Sequence, residues 1–418
     1  MTTNGASISG KGSNSVQVRH YNERVVLDAI RRKGQASKAE VARHAHLTPP
    51  AVAGIVDALV KAGYVEQRGK RFGQKGQPSV MFGLAEDGAY SIGIHIGRKT
   101  LDAVLIDFTG KIRSAESHDY DFPQPHIIKR IGGSFISKMR NMLGNNASRL
   151  MGIGISAPYF LGGWEQELGV APDISAKWRE VDLTHFFAEA EGLELVVEND
   201  ASAAAAAELI FGAGTRYRDF VYLSINTMIG GGLILDGVLQ TGPNGNSAAY
   251  GPLPVSPSLL NSVVKPKSGV ELLLRRASIY ILINHLQKHG IDIKRVRELE
   301  PISAEAKPYL AEWLEDCADA LAQAIVTTVS IIDLEAIVID GLLPRAILQE
   351  AVARIQSRFA EIVPKGVVVP EIVCGTAGPQ ASAIGAGILP IYALFSPDSS
   401  VLTKKAVEKK PLMIRSLG

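Results

Sequence analysis

The order of hydrophobic and polar residues divides the chain into a helical N-terminal segment and a longer segment in which strands and helices alternate. In the first segment, apolar residues recur every three or four positions, as on one face of a helix, in three successive stretches. Ser37 and Glu40 form a capping-box pattern before the second stretch, and Thr48 followed by Pro49 is typical of a helix start. The pattern predicts helices over residues 21–33, about 38–45 and 49–62.

Two shorter segments after the third helix, residues 64–68 and 79–84, have the character of β-strands. The residues between them are basic and rich in glycine. Three helices and a basic hairpin predict a winged helix-turn-helix domain over residues 19–85, preceded by a flexible leader over residues 1–18. A three-helix protein-interaction module is the alternative, but the basic hairpin tip favours binding to a phosphate backbone.

The start of the third helix, Thr48 to Gly54, has almost no side chain that can hydrogen-bond to the edge of a base. Bidentate recognition by Arg or Asn is therefore not available from its first turns. We expect the domain to bind double-stranded DNA through apolar contacts with thymine methyl groups, through one lysine of the second helix and through the wing. The predicted DNA-binding residues are Lys38, Thr48, Pro49, Pro50, Ala51, Ala53, Arg68, Lys70, Arg71, Lys75 and Gln77.

From about residue 86 onward, apolar strands alternate with helices. Residues 91–97 and 101–107 predict a strand hairpin, residues 127–143 a helix and residues 151–156 a buried strand. This order predicts an α/β body with two ribonuclease-H-like lobes, similar to the actin and hexokinase clan. The predicted first lobe comprises residues 86–198 and 380–396, the second comprises residues 199–379, and residues 397–418 form a flexible basic tail. Later predicted elements are helices over 307–332, 344–363 and 380–394 and strands over 336–340 and 367–373.

Charge is unevenly distributed along the chain, although the net charge is only +2. Residues 1–83 contain 13 Lys and Arg against 5 Asp and Glu, whereas the remaining residues contain 31 against 37. A basic head on an acidic body indicates that the head binds a polyanion, and a solvated basic surface is the alternative.

Composition excludes several classes of protein. Hydrophobic residues make up 46% of the chain and charged residues 21%, which excludes a mostly disordered chain. No apolar run reaches the roughly 18 residues of a membrane span, and the polar N-terminus has no signal-peptide core. The two cysteines exclude a disulfide framework. We therefore expect a cytoplasmic protein without a membrane partner.

A series of short motifs in the body resembles the ROK family of repressors, open reading frames and sugar kinases. No single motif is specific, but their order and spacing behind a winged domain identify the chain as a member over residues 20–395. The motifs are Gly152-Ile-Gly154-Ile-Ser156-Ala-Pro158, Gly169 to Trp178, Val197-Glu198-Asn199-Asp200-Ala201, Glu208 to Gly212, Gly230-Gly231-Gly232, Gly242 to Asn246 and Ala383 to Ala386.

The resemblance implies a ligand site at the start of a helix. In the family's sugar kinases, the Asp of the Glu-Asn-Asp motif is the general base for the sugar hydroxyl, and Asp200 stands at that position. Asp and Asn are also good N-caps, so capping of the helix that follows is the alternative role. The ligand-binding residues that the resemblance implies are Ser156, Asn199, Asp200, Asn244 and Asn246.

The kinase machinery departs from the family pattern at several positions. His95 replaces the Asp of the first phosphate hairpin, and we interpret it as a core histidine rather than as filling an empty phosphate site. Asn226 and Met228 replace glycines that let the backbone approach phosphate oxygens, and Asp340 places a carboxylate on the adenosine side. We therefore expect no ATP binding, no catalytic residue and no cofactor.

The family's sugar and zinc contacts are also missing. Where relatives carry G-E-x-G-H, this chain has Ala248-Ala249-Tyr250-Gly251-Pro252, so the Glu and His are absent. Residues 253–316 contain no cysteine, and Cys317 and Cys374 are too far apart in sequence for a thiolate cluster. We expect no bound metal, and either a ligand other than a common hexose or a vestigial pocket.

Together these features predict a sequence-specific transcription regulator of the repressor type. Its inactive kinase-like body would sense a carbohydrate-type metabolite and form a homodimer or homotetramer. An ATP-dependent sugar kinase with a regulatory head is one alternative, and a DNA-binding dimer with a purely scaffolding body is another.

Overall fold

The computed structural model describes residues 15–72, 78–161, 169–187, 190 and 192–397. Its N-terminal domain, here called the head, contains three helices and a three-stranded antiparallel sheet. Fully buried Val26, Ile30, Val52 and Val56 form the centre of its core. The elements of the head are α1 (Ser15–Lys33), β1 (Ala36–Ser37), α2 (Lys38–Ala45), α3 (Pro49–Ala62), β2 (Val65–Arg71) and β3 (Ser79–Leu84).

The head has the predicted winged helix-turn-helix fold, with two local differences. α1 begins at Ser15, inside the predicted leader, and Val18, Arg19 and His20 in its first turns are exposed. β1 pairs with β3, with Ala36 opposite Phe82, and completes the sheet. A strand of two residues is too short for alternation to reveal it in the sequence.

The first body sheet has the order β6-β5-β4-β7-β8. Its first three strands are antiparallel neighbours, and the last two run parallel to β4 and to each other. Two helices described in this part of the chain lie between the strands in sequence. The elements are β4 (Tyr90–Ile96), β5 (Thr100–Asp107), β6 (Ile112–Asp119), α4 (Pro125–Met142), β7 (Leu150–Ala157), α5 (Pro172–Arg179) and β8 (Glu194–Asn199).

The second body sheet repeats this strand order as β11-β10-β9-β14-β15, so the predicted ribonuclease-H-like architecture is confirmed in both lobes. A small ribbon, β12 with β13, lies outside it. The elements are α6 (Asp200–Phe211), β9 (Phe220–Ile225), β10 (Gly230–Leu235), β11 (Val238–Gln240), β12 (Pro254–Val255), β13 (Glu271–Leu272), α7 (Ile279–Lys288), α8 (Lys307–Val329), β14 (Ala336–Gly341), α9 (Arg345–Ile362), β15 (Glu371–Cys374) and α10 (Ala381–Phe395).

The last strand starts later than its apolar sequence suggests. β15 begins after Pro370, whereas the apolar run predicts a strand from residue 367. Pro370 has no N–H for a sheet hydrogen bond, and Val368 and Val369 are exposed to solvent. The run of valines is therefore a surface connection and not part of the sheet.

Helices α6 and α10 pack against each other, and α10 also lies directly on the first sheet. A Cβ atom at Gly154 of β7 would lie 1.7 Å from the carbonyl oxygen of Ala386. A Cβ atom at Gly385 of α10 would lie equally close to the carbonyl oxygen of Ala203 in α6. Only glycine permits these approaches, which explains the small residues of the late sequence motif.

The head is joined to the body by packing as well as by the chain. The rings of Tyr64, Phe108 and Phe395 form a cluster with centroid distances of 4.9–5.7 Å. The guanidinium of Arg31 on α1 donates a hydrogen bond of 2.7 Å to the carbonyl of Ile210, near the end of α6. The head therefore contacts the last turn of the helix that begins at Asp200.

Candidate functional site

The loop between β8 and α6 places Asn199 and Asp200 at the start of α6. The side-chain oxygen of Asn199 accepts hydrogen bonds from the backbone N–H groups of Ala201 and Ser202, so Asn199 caps the helix. One oxygen of Asp200 accepts from the Ala201 N–H, and its side chain is 21% exposed. The capping interpretation is confirmed for Asn199, and Asp200 keeps a second oxygen, Oδ2, that faces other side chains.

His95 of β4 lies between two carboxylates. Its Nδ1 is 3.6 Å from Asp102 Oδ2, and its Nε2 is 3.8 Å from Asp200 Oδ2. Burial opposes protonation of His95, but the two carboxylates outweigh it and raise the pKa of the imidazole to about 9. His95 is largely buried, as a core histidine is expected to be, and its ring also faces Asp200, the residue at the centre of the candidate site.

Arg98 is a second cation beside Asp200. Its side chain is buried and donates a hydrogen bond of 3.1 Å to the carbonyl of Phe160. Burial lowers the pKa of Arg98 to about 10, and the charge of Asp200 opposes this shift, so the guanidinium stays charged at neutral pH. His95 and Arg98 therefore place two cations beside the carboxylate that a general base would have to direct at a substrate hydroxyl.

The glycines of the second phosphate motif pack against α6. Cβ atoms at Gly230 and Gly232 would lie 2.8 Å and 2.5 Å from the methyl groups of Ala201 and Ala205. Close packing of β10 on α6 is therefore sufficient reason for these glycines. Just before them, the buried Oδ1 of Asn226 has no hydrogen-bond partner among the described residues.

A buried carboxylate occupies the end of β14, where the resemblance places the adenosine side. Asp340 accepts a hydrogen bond of 2.8 Å from the Gly378 N–H, and burial raises the pKa of its carboxyl group. Its other oxygen, Oδ1, has no partner in the part of the chain that the structure describes. A negatively charged phosphate group, free or part of a nucleotide, is disfavoured next to this carboxylate.

The remaining predicted ligand residues are Ser156, Asn244 and Asn246. Ser156 is fully buried and donates its hydroxyl to the carbonyl of Ser382, so the structure does not place it in an open site. Asn244 and Asn246 are exposed on a loop of the second lobe. The carbonyl of Asn244 accepts a hydrogen bond of 3.0 Å from the Tyr159 hydroxyl of the first lobe.

The family's zinc site does not fit the residues that stand in its place. Tyr250 is buried and its hydroxyl shares a hydrogen bond of 2.6 Å with Thr328, while Ala249 and Pro252 offer no ligand atom. Cys317 is fully buried in α8, and burial raises the pKa of its thiol well above the ordinary value. The thiolate that zinc requires is therefore strongly disfavoured there.

Two arginines form a contact between the lobes that the sequence does not reveal. Arg295 of the second lobe donates hydrogen bonds to the carbonyls of Lys99 and Tyr120 in the first lobe, at 2.9 Å and 3.0 Å. Arg297 pairs with Asp119 on the same edge. Neither arginine belongs to a sequence motif. Their partners are backbone carbonyls and a surface carboxylate that lie far away in the sequence, so no local pattern indicates the contact.

In the head, most of the predicted DNA-binding residues that the structure describes are exposed. Thr48, Pro49, Pro50 and Ala51 are exposed at the start of α3, and Ala53 is partly exposed. No side-chain hydrogen bond from Thr48 caps α3 in the described structure. Lys75 and Gln77 lie outside the described residues.

Several of the basic residues in this set are paired with acidic residues of the head. Lys38 lies 2.6 Å from Asp57 Oδ1, Arg68 lies 2.7 Å from a Glu66 oxygen, and Arg71 lies 2.8 Å from Glu40 Oε1. Lys70 is exposed on the same hairpin. Exposed ion pairs of this kind contribute little free energy, so the phosphates of a nucleic acid can replace the carboxylates as partners.

The fold and the site define a class of protein: a two-lobed, kinase-like body that carries a winged head. The family model described as ROK family matches residues 91–392, and the model described as winged helix-turn-helix DNA-binding matches residues 19–66. The chain belongs to the ROK family. Among the described residues, no helix is both long enough and apolar enough to cross a membrane.

Comparison with known proteins gives relatives of both assigned and unassigned function. The chain is 26% identical to the uncharacterized protein y4fQ of Sinorhizobium fredii, over 90% of this chain and 91% of that one. It is 29% identical to the xylose repressor of Bacillus spizizenii over 56% of this chain, and the match spans 60% of that repressor. A crystal structure of a ROK family transcriptional regulator, a homolog of the E. coli MLC protein, has the same fold, with a TM-score of 0.64 and 18% identity over 92% of this chain and 99% of that one.

Proposed function

We propose that this protein is a DNA-binding transcription regulator of the repressor type, whose body binds a carbohydrate-type metabolite and does not transfer phosphate. The observation that carries the proposal is the contact of the winged head with the far end of α6, the helix that begins at Asp200. Similarity to a xylose repressor supports the direction of regulation and the class of ligand.

α6 offers a direct mechanical route from the ligand site to the head. Its 12 residues span about 18 Å, from the capping Asn199 to the carbonyl of Ile210 that Arg31 binds. α10 runs alongside it, with Ser382 bonded to Ser156 at one end and Phe395 packed on Tyr64 at the other. A ligand that shifts the start of α6 would therefore move the surface on which the head rests.

The lobe contacts define the equilibrium on which the ligand acts. The Arg295 and Tyr159 hydrogen bonds hold the two lobes together in the present arrangement. A ligand shifts such an equilibrium only if it binds one lobe arrangement more tightly than the other. Because half-sites on DNA tolerate little displacement, a change in the separation of two heads would lower operator affinity.

Capture of fragmented genomic DNA by the full-length protein, followed by sequencing, tests the regulator proposal. We expect enrichment of a few sites that share a palindrome, and the neighbouring genes then nominate the metabolite. Uniform and salt-sensitive capture with no preferred site would contradict sequence-specific regulation.

The ligand site has a separate test that does not depend on DNA. We expect a pentose or hexose from a panel to raise the unfolding temperature, since a ligand at 100 times its Kd adds about 2.7 kcal/mol of stability. Asp200→Asn should remove this effect, whereas Asp173→Asn, at an exposed position of α5, should leave it intact. If no sugar stabilises the wild type, the body acts as a scaffold only.

A kinase activity is the second candidate, favoured by the position of Asp200 at the end of β8. Measurement of ADP release with the same sugars separates the two proposals. The His95 and Arg98 cations beside Asp200 lead us to expect no turnover. Turnover that Asp200→Asn abolishes would contradict the non-enzymatic assignment.

The proposal includes a homodimer or homotetramer. A palindromic operator presents two half-sites related by a two-fold axis, and a symmetric assembly matches them with two heads. Light scattering on the purified chain should give twice or four times the monomer mass of 44.7 kDa. A monomer at the concentration that saturates the operator would contradict this part of the proposal.

A further inference from the structure

A second cluster of ligand-type side chains lies in the second lobe, where the end of α7 meets the start of α8. His285 and His289 are four residues apart, so they lie on one side of the end of α7. Glu312 is in the second turn of α8. One ligand atom from each of the three residues lies within 4.8 Å of the others.

The inner member of this cluster is a buried nitrogen without a hydrogen bond. His285 is 1% exposed, and its Nε2 has no hydrogen-bond partner among the described residues. The same Nε2 lies 3.2 Å from Glu312 Oε2, without the geometry of a hydrogen bond. Two donor atoms about 2.0–2.1 Å from one tetrahedral zinc ion lie about 3.3 Å apart, so this separation suits two ligands of one ion.

Neighbouring residues hold both imidazole rings in place. The Ser262 hydroxyl lies 2.7 Å from His285 Nδ1, which leaves Nε2 directed towards Glu312. The His289 ring stacks on Tyr309, with centroids 4.0 Å apart and planes 14° from parallel. A hydrogen-bond partner on the second ring nitrogen, like Ser262 on His285 Nδ1, typically orients metal-binding histidines in proteins.

The chemistry of the cluster also suits a cation. Two imidazoles and one carboxylate are a ligand set that zinc accepts. His289 and Glu312 are exposed, so an ion can reach the cluster from solvent.

We propose that His285, His289 and Glu312 bind a divalent transition metal ion of the zinc class and thereby cross-link α7 to α8. The ion has three protein ligands, with a water molecule as the fourth. The site contains no cysteine and uses none of residues 248–252, so it is distinct from the thiolate zinc site that the sequence lacks. It does not depend on the proposed regulatory function.

Titration of the full-length chain with Co²⁺ tests the proposal, after treatment with a chelator and removal of any affinity tag. Four-coordinate Co²⁺ absorbs visible light far more strongly than the hydrated ion, so we expect absorption that saturates at one equivalent. Zn²⁺ should displace it and raise the unfolding temperature. A wild-type chain that shows no saturable absorption and no thermal shift would overturn the proposal.

Variants of the two exposed ligands make the test specific. His289→Ala and Glu312→Gln should each weaken Co²⁺ binding at least tenfold and reduce the thermal shift by Zn²⁺. The matched controls are His126→Ala on α4 and Glu180→Gln after α5, both exposed, and they should bind Co²⁺ as the wild type does. Equal binding by His289→Ala and His126→Ala would show that the ion binds elsewhere. Circular dichroism without metal verifies that each variant is folded.

Discussion

The side chains around Asp200 form a cluster of opposite charges. His95 and Arg98 supply positive charge close to Asp200, and Asp102 holds the far side of the imidazole. Asp102 itself accepts hydrogen bonds from Thr100 and Ser117, and, although burial opposes it, His95 and these donors lower the pKa of its carboxyl group. This network ties the start of α6 to β4 and β5 through charged side chains.

The charge of His95 predicts a pH-dependent stability. The folded-state pKa is about 9 against an ordinary value of 6.5, so this contribution is complete below pH 6.5 and is lost as the pH rises through 9. The wild type should lose up to about 3 kcal/mol of unfolding free energy over this range. His95→Gln should lack this loss, which urea unfolding at a series of pH values measures.

Exposed His126 provides the control for this experiment. His126→Gln on α4 should keep the wild-type pH profile, because the side chain is exposed to solvent. Identical profiles for His95→Gln and the wild type would mean that His95 is not charged in the folded protein.

At the scale of elements, the start of each short helix in the head is set by local residues. Ser37 accepts a hydrogen bond from the Glu40 N–H, and Glu40 accepts one from the Ser37 N–H, so the predicted capping box is formed. Thr48 occupies the corresponding position before α3, and there the fixed backbone of Pro49 starts the helix without a side-chain bond in the described structure.

This contrast predicts unequal effects of two similar substitutions. Ser37→Ala should destabilise the head by about 1 kcal/mol, because it removes the N-cap hydrogen bond. Thr48→Ala should change stability by less than about 0.5 kcal/mol, because an exposed hydroxyl without a cap bond is lost. Thermal unfolding followed by circular dichroism measures both, and equal effects would contradict the assigned caps.

The wing predicts the salt dependence of DNA binding. Arg71 pairs with Glu40 in the free protein and would exchange this carboxylate for a phosphate on DNA. The double variant Arg71→Ala, Lys75→Ala should bind DNA more weakly and with a flatter salt dependence, by roughly 0.9 in the logarithmic slope per lost phosphate contact. Fluorescence anisotropy at several salt concentrations gives the slope.

Lys129→Ala is the control for the wing, since it removes one exposed positive charge from α4 of the body. It should leave the slope unchanged. If the double variant keeps the wild-type slope, the wing does not contact DNA.

At the scale of the whole molecule, the core of the head extends onto residues of the body. The cluster of Tyr64, Phe108 and Phe395 joins head, first sheet and last helix, and Arg31 binds the end of α6. A displacement of α6 or α10 would therefore act on the head through these direct contacts.

The Arg31 contact predicts local stability at this junction. Arg31→Ala should increase the rate of amide hydrogen exchange in α1 and in the last turn of α6, because the hydrogen bond between them is lost. Arg32→Ala is the matched control, since Arg32 pairs with Asp28 on the same helix. Mass spectrometry of exchange measures both, and equal protection in the two variants would exclude a role of Arg31 in docking the head.

The sequence by itself determined the elements whose signals are local. The helix caps, the hairpin and the apolar strands depend on residues close together in the chain, and so the head and both lobes follow from the pattern. Motif order likewise pointed to Asp200 and predicted the loss of the family's phosphate, sugar and zinc contacts.

Only the tertiary structure decided the contacts between distant segments. The pairing of His95 with Asp200, the Arg295 contact between lobes, the burial of Ser156 and the histidine–glutamate cluster on α7 and α8 each join residues from different elements. The periodicity of apolar residues indicates which face of a helix or strand a residue occupies. It does not indicate which residue of another element that side chain contacts. These contacts arise only when separate elements of the head and the two lobes pack against one another.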